Sequence, residues 1–129
     1  MAIFGKLFGK SKTSGIVQEL QTLKIKISEL PAQCPAKGIS FGAGVTQAQE
    51  QIPIICKNIE QAIIALNTGF DPYNRPITKQ QIVDGLKHLV SATRKPAFIG
   101  LMVAVLSGDG IQSLENHLNY LEQIANKIV

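Results

Sequence analysis

The chain has no tryptophan, and aromatic residues make up only 5% of it. Stacking platforms for single-stranded nucleic acid need more rings than this, and the core has to be built from Ile, Leu, Val and Ala. Arginine is almost as scarce: Arg75 and Arg94 are the two among thirteen basic residues. Guanidinium forks and clustered basic faces mark nucleic-acid footprints, so nucleic acid ranks last among partner classes. There are two cysteines, Cys34 and Cys56. A chain of 129 residues buries enough surface to fold without a covalent staple, so two free thiols in a cytoplasmic protein are the expectation. No apolar run approaches the roughly 20 residues of a membrane span; the longest, Ala97 to Leu106, is ten residues and includes Gly100. Lys6 interrupts the early apolar residues, so no signal-peptide core is expected there.

What the chain does have is a globular balance, with 45% apolar and 17% charged residues. Its net charge of +4 is unevenly placed. Lys6, Lys10 and Lys12 lie near the start, leaving ten basic against nine acidic side chains elsewhere, a net charge of +1. The body is close to neutral and the excess sits on residues 1–13, which read as a basic, amphipathic N-terminal arm. Residues 14–129 read as one helical domain.

Apolar periodicity supports that reading. Ile16, Leu20, Leu23, Ile27 and Leu30 recur at spacings of four and three, one stripe of a helix. The polar run Ser11 to Gly15 reads as a linker before it, with Ser14 as N-cap, and Pro31 is expected to end it. A second stripe runs through Val45, Ala48, Ile52, Ile55, Ile59, Ala62 and Leu66, widened by Cys56 and Ile63. Pro53 lies inside it without a change of phase, which predicts a kinked helix or two abutting ones. Gly69 suits the C-terminal glycine. Thr78 and Gln81 form a capping-box pair ahead of Ile82, Val83, Leu86, Leu89 and Val90. Pro96 fits a first helical position, and residues 96–106, apolar all round, are expected to be the central, most buried helix. Asp109 with Gln112 suggests the last start, followed by Ile111, Leu114, Leu118, Leu121, Ala125 and Ile128. The sum is an all-α, single compact bundle of about five helices.

Candidate chemistry is thin. In the arm, Ile3, Phe4, Leu7 and Phe8 share one helical face, and Lys6 and Lys10 another, a pattern suited to a partner groove or an anionic membrane surface through residues 1–12. Position 2 is Ala, so the myristoylation signal is absent. Gly9-Lys10-Ser11 matches the end of a P-loop, but the glycine needed five residues earlier is Phe4 and no strand precedes it. The run Gly38 to Gly44 could offer backbone donors to an anion, although ordinary entry to a helix explains it. Asp84 precedes His88 by one turn, a spacing that favours an ion pair. His88, His117, Cys34 and Cys56 show no metal-ligand spacing, so neither metal nor cofactor is expected. The connection from Phe70 to Pro76 carries Phe70, Tyr73 and Arg75, and Tyr and Arg are enriched at binding hot spots.

These features favour a protein-interaction module, an adaptor or a subunit of a larger assembly, with a protein partner or a second copy bound through the arm or the aromatic-arginine loop. No catalytic motif argues for an enzyme. The alternatives are a peripheral membrane protein held by its arm, and a small ligand-binding bundle or an enzyme without a readable motif.

Overall fold

The structure, a computed structural model, describes residues 10–36 and 43–128. Five helices follow one another: α1 (Lys10–Gln33), α2 (Ala43–Thr68), α3 (Lys79–Thr93), α4 (Pro96–Met102) and α5 (Gly108–Ile128). The four long ones pack in a ring, α1 on α2, α2 on α3, α3 on α5 and α5 back on α1. Among the described residues there are no strands, only two isolated bridges, Pro35 with Leu106 and Phe70 with Pro76. The molecule is an all-α compact bundle.

Each helix turns its apolar stripe inward. Ile16, Leu20, Leu23, Ile27 and Leu30 of α1 are buried, as are Ala48, Ile52, Ile55, Ile59, Ala62 and Ile63 of α2. From α5 come Leu114, Leu118, Leu121, Ile124, Ala125 and Ile128. Each buried aliphatic side chain of this size contributes about 1.5–3 kcal/mol. The one buried polar side chain among the described residues, Thr93, is satisfied by the carbonyls of Leu89 and Val90, both at 2.9 Å. The bundle is laced at its surface by Lys24–Glu60 between α1 and α2 (2.8 Å) and Lys127–Glu19 between α5 and α1 (3.1 Å). Exposed pairs of this kind contribute at most about 1 kcal/mol each, so the apolar stripes dominate.

Local rules account for most boundaries. Thr78 caps α3: its hydroxyl accepts from the Gln81 amide at 3.1 Å, and Gln81 Oε1 accepts from the Thr78 amide at 2.8 Å. Gly69 follows α2 with φ of 80°, a left-handed conformation that a side chain would strain. Its amide donates to Ala65 and its carbonyl accepts from Ile77, closing the α2–α3 connection. Helix α2 runs unbroken through Pro53. Pro53 lacks the amide that would bond the Gln49 carbonyl, and both residues lie on the exposed side of the helix.

Several expectations need correction. Helix α1 begins at Lys10, so the polar run read as a linker belongs to the helix, and it passes Pro31 to end at Gln33. Proline disfavours a helical conformation in the residue before it without forbidding it, and the Cys34 amide closes the final turn on Leu30 at 2.7 Å. Helix α5 is capped by Ser107, whose hydroxyl accepts from the Gly110 amide at 3.3 Å, and not by Asp109; Gln112 instead bonds Asn116. Asp84 does not pair with His88; it accepts from the Gln80 amide group at 2.8 Å.

The largest correction concerns residues 96–106. This segment is not the central helix. Helix α4 has seven residues and lies at the edge, against α2 and α3. Within it only Met102 is buried, Phe98 and Leu101 are partly covered, and Val103 just beyond is 59% exposed. Tight turns from Ala104 to Leu101 and from Val105 to Met102 end the helix. They bring residues 105–107 alongside 34–36, where the Ser107 amide donates to Cys34 (3.0 Å) and the Ala36 amide to Val105 (3.2 Å). That stitch joins the end of α1 to the start of α5. With Lys127–Glu19 at the opposite ends, it makes the two helices antiparallel.

Candidate functional site

A cleft of about 420 Å³ opens between α2 and α3, within the size range of small-molecule sites. Its α2 wall is one helical stripe, Gln51, Ile54, Ile55, Asn58, Gln61, Ala62 and Ala65. Its α3 wall runs from Gln81 and Ile82 through Gly85 and Leu86 to Leu89 and Ala92. Phe98 of α4 closes one end, and Asp71, Pro72 and Ile77 close the other.

The cleft follows from side-chain size. Where α2 faces α3, several positions hold Ala62, Ala65, Gly85 and Ala92, and a side chain built at Gly85 would meet nothing within 4 Å. Two helices held apart by Ile55, Ile82, Leu86 and Leu89, with small residues between, leave a trough that neither fills. The floor is apolar and the rim carries the neutral amides of Gln51, Asn58, Gln61 and Gln81. Ile54 stands on the wall 46% exposed. Asp71 and His88 supply the ionisable side chains of the lining.

Next to the end of the cleft closed by Asp71 and Pro72, residues 70–76 form a hydrogen-bonded loop. Asp71 Oδ1 accepts from the Tyr73 amide (2.8 Å) and the Arg75 amide (2.9 Å), and Oδ2 accepts from Arg75 Nε (3.0 Å). The Arg75 amide leads in holding the Asp71 carboxyl below its ordinary range, helped by the Tyr73 amide and the guanidinium. Asn74 takes φ of 62°, a conformation that Asn tolerates. The Arg75 guanidinium lies over the Tyr73 ring, 5.2 Å from its centre. Tyr73 is 78% exposed, and Phe70 is also exposed.

Of the residues singled out by sequence, the structure therefore brings Phe70, Tyr73 and Arg75 into one loop beside the cleft. Ile3, Phe4, Lys6, Leu7 and Phe8 lie outside the described residues. Lys10 is the first residue of α1. The cleft itself was not anticipated. Its available signal was the set of small residues on facing stripes of α2 and α3.

The remaining titratable groups are dispersed. Cys56 points its thiol toward the Lys24 carbonyl at 3.5 Å, and burial pushes its pKa up, against the opposing pull of Lys24. His117, on α5, lies 3.5 Å from the Ser113 hydroxyl; burial first, then the Lys26 charge, lowers its pKa. Among the described residues, no three His, Cys, Asp or Glu side chains converge on a metal position, and no helix is long and apolar enough to cross a membrane. The chain matches no protein-family model, no curated protein and no solved structure.

Proposed function

We propose that this chain is a protein-interaction module, an adaptor or assembly subunit, whose α2–α3 cleft receives the apolar face of a helix from a partner protein. The observation that carries the reading is the open trough of about 420 Å³ with an apolar floor and an amide rim. A helix-in-groove contact needs apolar anchors at three- and four-residue spacing along one partner face. The α2 wall from Gln51 to Ala65 is about 21 Å long at 1.5 Å per residue, enough for some four turns of a partner helix. The neutral amides can bond polar groups on that helix's flanks without the desolvation cost of buried charge. A cytoplasmic setting is part of this reading, and the two free thiols fit it.

The test is selection from a displayed library of amphipathic helical peptides on the full chain and on its Gly85→Trp variant. Position 85 is exposed and open, so the indole fills the trough while the core stays intact, which far-ultraviolet circular dichroism checks. Expected is enrichment of peptides with a regular apolar stripe on the wild type and its loss on Gly85→Trp. Equal enrichment on both proteins contradicts the proposal.

A further inference from the structure

We infer that the helix docked in the α2–α3 cleft carries a carboxylate beyond its apolar anchors, and that Arg75, stacked on Tyr73, receives it. The inference rests on reading the cleft as a helix-docking site and adds the partner's charge and polarity.

The position comes first. Asp71 and Pro72 form the cleft's end wall, and Arg75 is bonded to Asp71 through Nε at 3.0 Å. Arg75 does not itself line the cleft, but this bond places its guanidinium beside the end wall, where a helix that extends past that end would meet it. The chemistry of the pair comes second. The Asp71 carboxylate is occupied by two backbone amides and Nε. Arg75 commits only Nε, and its two terminal nitrogens have no hydrogen-bond partner among the described residues, on a side chain 71% exposed. The edge formed by those two nitrogens can hold a carboxylate through two parallel hydrogen bonds.

Charge complementarity gives the direction. A basic partner finds in the lining one carboxylate, Asp71, already engaged by the loop. An acidic partner finds a guanidinium edge ready to donate. Geometry adds to this, because the Asp71 bonds and the Tyr73 ring hold Arg75 in place before binding. A preorganised side chain loses less rotamer freedom on binding than a free one. The neighbouring Asp71 charge offsets part of the attraction, so the expected gain is that of a good surface pair, about fivefold in Kd.

The experiment uses the same peptide library, with the positions flanking the apolar stripe randomised, selected on the wild type, Arg75→Gln and Gly85→Trp. Expected is enrichment of Asp and Glu at one flank on the wild type, absent on Arg75→Gln while the apolar stripe is still selected. A selected peptide made in Glu and Gln versions should differ about fivefold in Kd on the wild type, with the gap narrowing as salt rises, and should not differ on Arg75→Gln. The inference is overturned if the wild type shows no acidic bias, or if the Glu–Gln gap survives Arg75→Gln. If the apolar stripe is selected and lost on Gly85→Trp while no acidic bias appears, this inference falls and the docking reading stands. If no apolar stripe is selected on the wild type, both fall.

Discussion

Replacing Gly110 by alanine tests how tightly α5 is seated on α1. A Cβ at this position would lie 2.8 Å from the Cys34 Cβ, 3.0 Å from the Cys34 carbonyl oxygen and 3.1 Å from the Leu106 Cβ. Carbon atoms in contact prefer about 3.5–4.0 Å, so the closest approach falls short by roughly an ångström. All three obstacles are Cβ or backbone atoms of residues in the stitch between 34–36 and 105–107, and none can simply rotate away. The first turn of α5 must retreat, an overpacking cost of about 1–3 kcal/mol. Retreat also stretches the Ser107–Cys34 bond of 3.0 Å, which contributes about 1 kcal/mol when well formed. Alanine's better helix propensity returns at most about 1 kcal/mol, and less in a first turn. The expected net loss is about 1–3 kcal/mol. Gly85→Ala is the control with opposite sign. It lies inside α3 with open space around it, so it should gain up to about 1 kcal/mol. Urea unfolding followed by circular dichroism measures both, with an unchanged slope showing that the comparison is of like transitions. A neutral or stabilising Gly110→Ala would refute the close seating of α5 on α1.

Other outcomes follow from single contacts. Thr78→Ala removes the acceptor for the Gln81 amide and should cost about 1 kcal/mol in the same unfolding assay. Ile59→Ala empties a fully buried position of α2 and should cost about 2–5 kcal/mol. His117 has a folded pKa lowered below 6.5, chiefly by burial. The unfolded chain therefore binds the proton more readily, and this contribution to stability is present above pH 6.5 and lost as pH falls through the folded pKa. His117→Gln should flatten the pH dependence of stability just below pH 6.5, and a nuclear magnetic resonance titration of the imidazole should place its midpoint below that value. The Asp71 carboxyl is shifted the opposite way relative to its charged form: its lowered pKa keeps the loop bonds in place above pH 3.8, and they are lost as pH falls through the folded value. Amide shifts of Tyr73 and Arg75 should therefore move in a titration whose midpoint lies below 3.8.

The fold was legible wherever period and cap agreed. The stripes of α1, α2, α3 and α5 follow the three-and-four spacing of their Ile and Leu residues, and Thr78, Gly69 and Pro96 occupy the positions that their backbone chemistry favours. Residues 96–106 misled because composition reports apolarity without length. Seven helical residues cannot line a core built from helices of fifteen to twenty-six residues, and the segment instead leads to the 105–107 stitch. That stitch pairs residues some seventy positions apart, which no local pattern encodes. Gly110 lacks a side chain to mark it in the sequence, and its role is set by Cys34 across the bundle. The aromatic-arginine loop was visible in the sequence because Tyr and Arg stand out by type. The cleft was not, because it is made by the smallness of Ala62, Ala65, Gly85 and Ala92, and small residues signal a gap only once the facing helix is known.

The most direct measurement of the docking proposal locates a bound helix. A peptide selected on the wild-type chain, carrying a nitroxide at its centre, is added to protein labelled at its Ile and Leu methyl groups, and paramagnetic broadening is recorded. Ile54, Ile55, Ile82 and Leu86, in the cleft, are expected to broaden first, while Ile25 on the outer face of α1 and Ile128 at the end of α5 stay sharp. Broadening centred on α1 or α5, with the cleft methyls unaffected, would contradict the docking proposal.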